Sequence, residues 1–147
     1  MSNKSLSLFV MDIARNLGLN SLELDEANTC DLLINDTTLI VLKIDESNNK
    51  VILLTQLTED SEPADKELAN QIFFKHSSDS LVGENPQLAW IEDVGLTAYR
   101  CLSLSEIDAK KVSNEIAYLV DWQVHVSSSN HKKAQENIET NYYQTRV

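Results

Sequence analysis

The sequence predicts an α+β domain: a twisted antiparallel sheet in the order α-β-β-β-α-β-β-α, associating as a dimer. Three observations point there. Two neighbouring segments alternate like strands yet are apolar on both sides: in residues 38–44, Leu39 and Val41 face one way and Ile40, Leu42 and Ile44 the other, and in residues 50–57, Val51, Leu53 and Leu57 oppose Ile52 and Leu54. Such strands need cover above and below. The links between the first three strands are only turn-length, which forces antiparallel pairing, because a parallel crossover takes roughly a dozen residues or more. Three stretches carry helical spacing, and they must supply the cover; whatever they leave bare, another polypeptide has to shield.

Leu6, Phe9, Val10, Ile13, Ala14 and Leu17 share one helical face, and Gly18 follows where a left-handed cap belongs. A polar stretch, residues 25–28, leads into a strand over 29–34, and Asn35-Asp36 supplies turn chemistry before the two doubly apolar strands. Asn35-Asp36-Thr37 also matches the glycosylation tripeptide; without a secretion signal it reads as a hairpin turn. Residues 45–49 form the second turn. The acidic segment 59–65, with Pro63, starts a second helix in which Leu68, Ile72, Phe73 and His76 share a face and Phe74 lies off it. Adjacent aromatics suit a helix with neighbours on two sides, one of them a second subunit. Residues 87–91 and 96–104 form another hairpin anchored by Trp90 and Tyr99. Ser105 with Asp108 resembles a capping box for a third helix of about 18 residues through Ile107, Val112, Ile116, Leu119, Val120 and Gln123. The domain is thus placed at residues 1–126, with a polar, flexible tail over 127–147.

The chain's 147 residues suffice for one core but not two, and 42% hydrophobic with 24% charged residues is ordinary globular composition. Twelve basic against 23 acidic residues give a net charge of −11, which repels nucleic acid and anionic lipid. No apolar run nears the roughly 20 residues needed to span a bilayer, and residues 1–12 lack a signal peptide's apolar stretch, so neither membrane insertion nor export is expected. Cys30 and Cys101 read as reduced, buried thiols. Gly18, Gly83 and Gly95 are too scattered for a phosphate cradle, His76, His125 and His131 too far apart for a metal site, and neither cysteine has a histidine nearby in sequence. No catalytic residue, metal or cofactor is therefore assigned. The acidic clusters Glu23, Asp25, Glu26 and Glu59, Asp60, Glu62 read as solvated loop charge.

The element order resembles the class I chaperones of bacterial type III secretion, the Tir-chaperone family. The local wording is similar as well: Leu17-Gly18-Leu19 at the first helix end, a Leu-rich acidic link over 22–26, Thr29-Cys30-Asp31-Leu32 opening a strand, Ala69-Asn70-Gln71-Ile72-Phe73-Phe74 in the second helix, and Leu102-Ser103-Leu104 before the last. The likeness covers roughly residues 5–126; segment 77–84 departs from it in holding a single glycine, and the long polar tail is not general in the family. It implies a non-enzymatic homodimer in the bacterial cytoplasm that holds the N-terminal segment of a secreted effector in extended form. Energy for export would come from the secretion apparatus, whose ATPase is a further candidate partner. The second helix and adjacent strands would form the dimer contact, with Leu68, Ile72, Phe73 and Trp90 as its residues; Leu6, Phe9 and Val10 with Leu39, Val41 and Val51 are the candidates for the guest groove. The competing reading is a non-enzymatic adaptor that binds a folded protein partner.

Overall fold

The computed structural model describes the backbone of residues 3–83 and 85–144 and the side chains of residues 5–83 and 85–127. Helix α1 (Asn3–Asn16) buries Leu6, Val10, Ile13 and Ala14 and stops at Gly18, whose φ of +73° is the left-handed value expected of a cap. Strands β1 (Thr29–Ile34), β2 (Thr38–Asp45) and β3 (Lys50–Gln56) form a meander. Asn35 and Asp36, both with positive φ, make its first turn, and Asn49 closes the second. Helix α2 (Pro63–His76) begins with Pro63 in its first turn, and the Asp65 carboxylate accepts from the Ser61 and Glu62 amides at 2.9 and 2.8 Å. Those two bonds, Ser61 first, hold the Asp65 carboxyl below the usual range. Strands β4 (Gln87–Ile91) and β5 (Gly95–Ser103) form the second hairpin, and the antiparallel sheet runs β1-β2-β3-β5-β4.

Three local expectations need correction. A four-residue helix, α3 (Asp79–Val82), follows α2; it is too short to leave a periodic pattern. The last helix, α4 (Ala109–Gln144), is capped by Asp108, whose carboxylate accepts the Lys111 amide at 2.7 Å; Ser105 instead gives its amide to Asn49 at 2.9 Å. That helix has 36 residues, against the expected 18 or so. Its side chains beyond Ser127 lie outside the described residues, and with them the expectation of a separate polar tail.

All three long helices lie on one face of the sheet. Side chains of α1 and α4 (Leu6, Val10, Ile13; Val112, Ile116, Leu119) interlock with Leu32, Ile40, Leu42, Ile44, Val51, Leu53 and Ala98. A smaller cluster joins Ala69 and Ile72 of α2 to Leu96 of β5 and Val126 of α4. Leu96 and Ala98 project to the same side of β5 by the two-residue period, so α2 shares the side held by α1 and α4. An Arg100–Glu115 pair ties β5 to α4 through two bonds of 3.0 and 3.2 Å.

Candidate functional site

None of the three long helices covers the opposite face of the sheet. Burial along β2 alternates: Thr38, Ile40, Leu42 and Ile44 are buried, while Leu39 is exposed and Val41 half-buried. The register carries this bare face across the strands: Leu33 lies opposite Leu39, Val41 opposite Leu54, Leu54 opposite Tyr99, and Ile52 opposite Cys101. Leu33 is 57% exposed and Leu39 50%. Toward the β4–β5 turn the face dips into a hollow of about 450 Å³ whose lining includes Leu39, Val41, Leu54, Ile91, Val94 and Thr97. Contiguous apolar area of this kind on an otherwise acidic protein marks an interaction surface.

A second apolar surface lies where α2 meets β4. Phe73, Trp90, Leu96, Ala69, Asn70 and Lys66 line a hollow of about 380 Å³. Phe73 and Trp90 are 44% and 40% exposed, and Phe74, edge-on to Phe73 at 6.2 Å, is 82% exposed. A third hollow, also about 380 Å³, runs between α1 and the segment before β1, with Met11, Leu22 and Leu24 beside Glu23 and Asp25.

The predicted guest groove divides in two. Leu6 and Val10, largely buried in the core, also line the hollow between α1 and the segment before β1; Val51 is fully enclosed, and Phe9 packs half-buried against that core. Leu39 and Val41 lie on the other side of the sheet from α1. The sequence could not tell covered from uncovered apolar faces, since both carry the same residue types. Of the four dimer candidates, Phe73 and Trp90 meet at one hollow, Leu68 packs half-buried on the smaller cluster, and Ile72, only 2% exposed, belongs to the chain's own core. Leu33, Ile91 and Val94 are absent from the sequence-based candidates, and Ile52, Leu54 and Phe74, though read from the sequence as apolar, are assigned to neither site. Strand alternation already put Ile52 and Leu54 on one side with each other, and Leu33 follows from pairing β1 against Leu39.

His76 packs between two neighbours: its Nδ1 lies 2.9 Å from the Asp79 carboxylate and its ring stands edge-on to Trp122 at 5.7 Å, while its buried Nε2 finds no partner among the described residues. No cluster of side chains suited to a metal occurs among the described residues, and no described helix is long and apolar enough to cross a membrane. The thiols differ, contrary to the expectation of two buried ones: Cys30 is buried and Cys101 is exposed on the bare face. Burial, then the neighbouring Asp31 charge, pushes the Cys30 thiol up. A thiol reagent added to the native protein should therefore titrate one cysteine, Cys101, quickly and the second only on unfolding. Equal fast reaction of both would contradict this placement.

The model of the Tir chaperone protein (CesT) family matches residues 9–126. No curated protein matches the chain. Among solved structures, a chain of the HopA1–SchA chaperone–effector complex superposes with a TM-score of 0.71 at 19% identity, covering 87% of this chain and 98% of that one. A chain of the ExoT–SpcS complex from Pseudomonas aeruginosa gives 0.61 at 14% identity, covering 84% and 98%. The structure of the Yersinia pestis type III secretion chaperone SycH with a fragment of YscM2 gives 0.58 at 17%, covering 82% and 98%. At these identities the structural likeness speaks for the fold.

Proposed function

The chain belongs to the Tir chaperone protein (CesT) family, and from that premise we propose that it is a non-enzymatic type III secretion chaperone, acting in the bacterial cytoplasm, that holds the N-terminal segment of an effector in extended form. The observation that carries this reading is the uncovered apolar sheet face running from Leu33 and Leu39 through Val41, Ile52 and Leu54 to Ile91 and Val94. An extended guest can pair its backbone with a sheet edge and set alternate side chains on such a face, a mode that needs no catalytic group and no nucleotide. Solved neighbours of this fold include a chaperone–effector complex and a type III secretion chaperone bound to a fragment of another protein, which supports the same reading.

Co-expression with the leader segments of candidate secreted proteins, followed by co-purification, tests it. An isolated, unstructured leader should bind. Burying one leucine contributes about 1.5–3 kcal/mol, so Leu39→Glu should weaken that binding tenfold or more while leaving the melting temperature close to wild type, because residue 39 is solvent-facing in the free protein. A requirement for the partner's folded domain would favour the adaptor reading instead.

We assign self-association to the other apolar surface, with Phe73, Phe74 and Trp90 as its centre. Aromatic side chains in a hollow are the usual anchors of such contacts. Phe73→Glu with Trp90→Glu should sediment as a folded monomer where the wild type sediments as a dimer. An unchanged dimer in that variant removes the assignment.

A further inference from the structure

We infer that the open edge of β1 selects guest strands presenting a Lys or Arg against Asp31 and, two residues away, an apolar side chain against Leu33. This rests on the function proposed above and names the chemistry of the guest. The phase of the ladder is fixed by the Ile44 amide, which donates to the Asn28 carbonyl at 3.0 Å. Counting in twos along the antiparallel register, Cys30 with Leu42 and Leu32 with Ile40 exchange main-chain bonds, so Thr29, Asp31 and Leu33 direct theirs outward. Asp25 closes the first of these: its amide donates to the Thr29 carbonyl and its carboxylate accepts the Thr29 amide, both at 2.9 Å. Asp31 and Leu33 stay open among the described residues, apart from a weak thiol contact of Cys30 to the Asp31 carbonyl at 3.8 Å.

An unpaired edge is a template for another strand. The side chains of Asp31 and Leu33 both stand exposed on the bare face, so a guest residue opposite each lies within cross-strand reach of it. The residue between them points to the α1 side, where Met11, Leu22 and Leu24 line the adjoining hollow. A groove of about 500 Å³ beside β1 is rimmed by Glu23, Asp25 and Asp31. Lys43, a cation on the same face, sits opposite Thr29, not Asp31, and lies close enough to Asp45 to help lower that carboxyl, whose main partner is Asn48. Among the described residues no cation lies within ion-pair distance of Asp31, Lys43 being only its diagonal neighbour, and the chain's net charge of −11 disfavours an acidic guest residue there. Antiparallel addition, the more stable pairing, makes the guest read apolar, apolar, basic opposite Leu33, Leu32 and Asp31.

The test uses two fluorescein-labelled 13-residue peptides, identical except for a central Leu-Val-Lys or Leu-Val-Glu, with anisotropy as readout on the full chain. The Lys peptide should bind on the order of tenfold more tightly. Asp31→Lys should reverse the preference, and Glu106→Lys, the same change in net charge away from the edge, should preserve it. N-methylation of the guest amides facing β1 should abolish binding. A preference that survives Asp31→Lys overturns the charge selection while leaving the chaperone reading intact. Failure of both peptides, with an effector leader still co-purifying, overturns guest pairing at this edge; failure of the leader as well removes the proposed function itself.

Discussion

Gly95→Ala should cost about 3 kcal/mol of stability or more and lower the thermal midpoint by roughly 10 °C, the largest effect expected of any single-methyl change in this chain. Gly95 opens β5 at a φ of +122°, a region closed to residues with a side chain. A Cβ there would sit on the Thr58 carbonyl oxygen and only 2.8 Å from the Glu59 carbonyl, both of them backbone. Backbone cannot swing aside as a side chain can. The contact is tight because the chain leaving β3 is pinned to β5: the Leu57 amide donates to the Leu96 carbonyl at 2.7 Å, and the Leu96 amide donates to the Thr58 hydroxyl at 3.1 Å. Relief by opening that seam would loosen the hollow lined by Ile91 and Val94 as well. Thermal and urea melts at one fixed protein concentration check this; a midpoint within 2–3 °C of wild type, a shift worth about 1 kcal/mol, would show that the turn has slack.

Removing one member of the Arg100–Glu115 pair should cost about 3 kcal/mol. The guanidinium meets the carboxylate through two parallel bonds, with the two side chains 20% and 10% exposed, so Glu115→Ala strands a mostly buried cation on the helix-covered side of the sheet. The penalty is that of an uncompensated charge more than the worth of the pair. Arg100→Met combined with Glu115→Leu should therefore recover most of the loss, because apolar groups of similar volume need no partner. If the double variant is as unstable as Glu115→Ala alone, the pair stabilises the fold in its own right.

Strands were legible because their period is short and their residues branched: β1 to β5 sit within a residue or so of their expected limits. Which side of the sheet would be covered was not legible. Ile40 and Leu39 are equally apolar, and only the docking of α1 and α4 makes one core and the other surface. The same ambiguity split α2, where Ile72 and Phe73 are successive residues about 100° apart on a helix, and one turned into the protein while the other turned out. Cys101 misled for a related reason: an apolar strand position says nothing about the face it occupies. Beyond Val126 the apolar stripe ends while helical backbone continues, so periodicity underestimated α4. The open β1 edge was invisible in the sequence, since it depends on the phase of the β1–β2 ladder and on Asp25 sealing Thr29 alone.

Methyl NMR on the protein bound to an effector leader tests the central claim, that the side of the sheet away from the three long helices receives the guest. Along β2 and β3, the methyls of Leu39, Val41, Ile52 and Leu54 should shift and contact the guest, while their neighbours Ile40, Leu42, Val51 and Leu53 stay essentially unmoved. Perturbation confined to the outward surfaces of α1 and α4, with the four face residues silent, would contradict it.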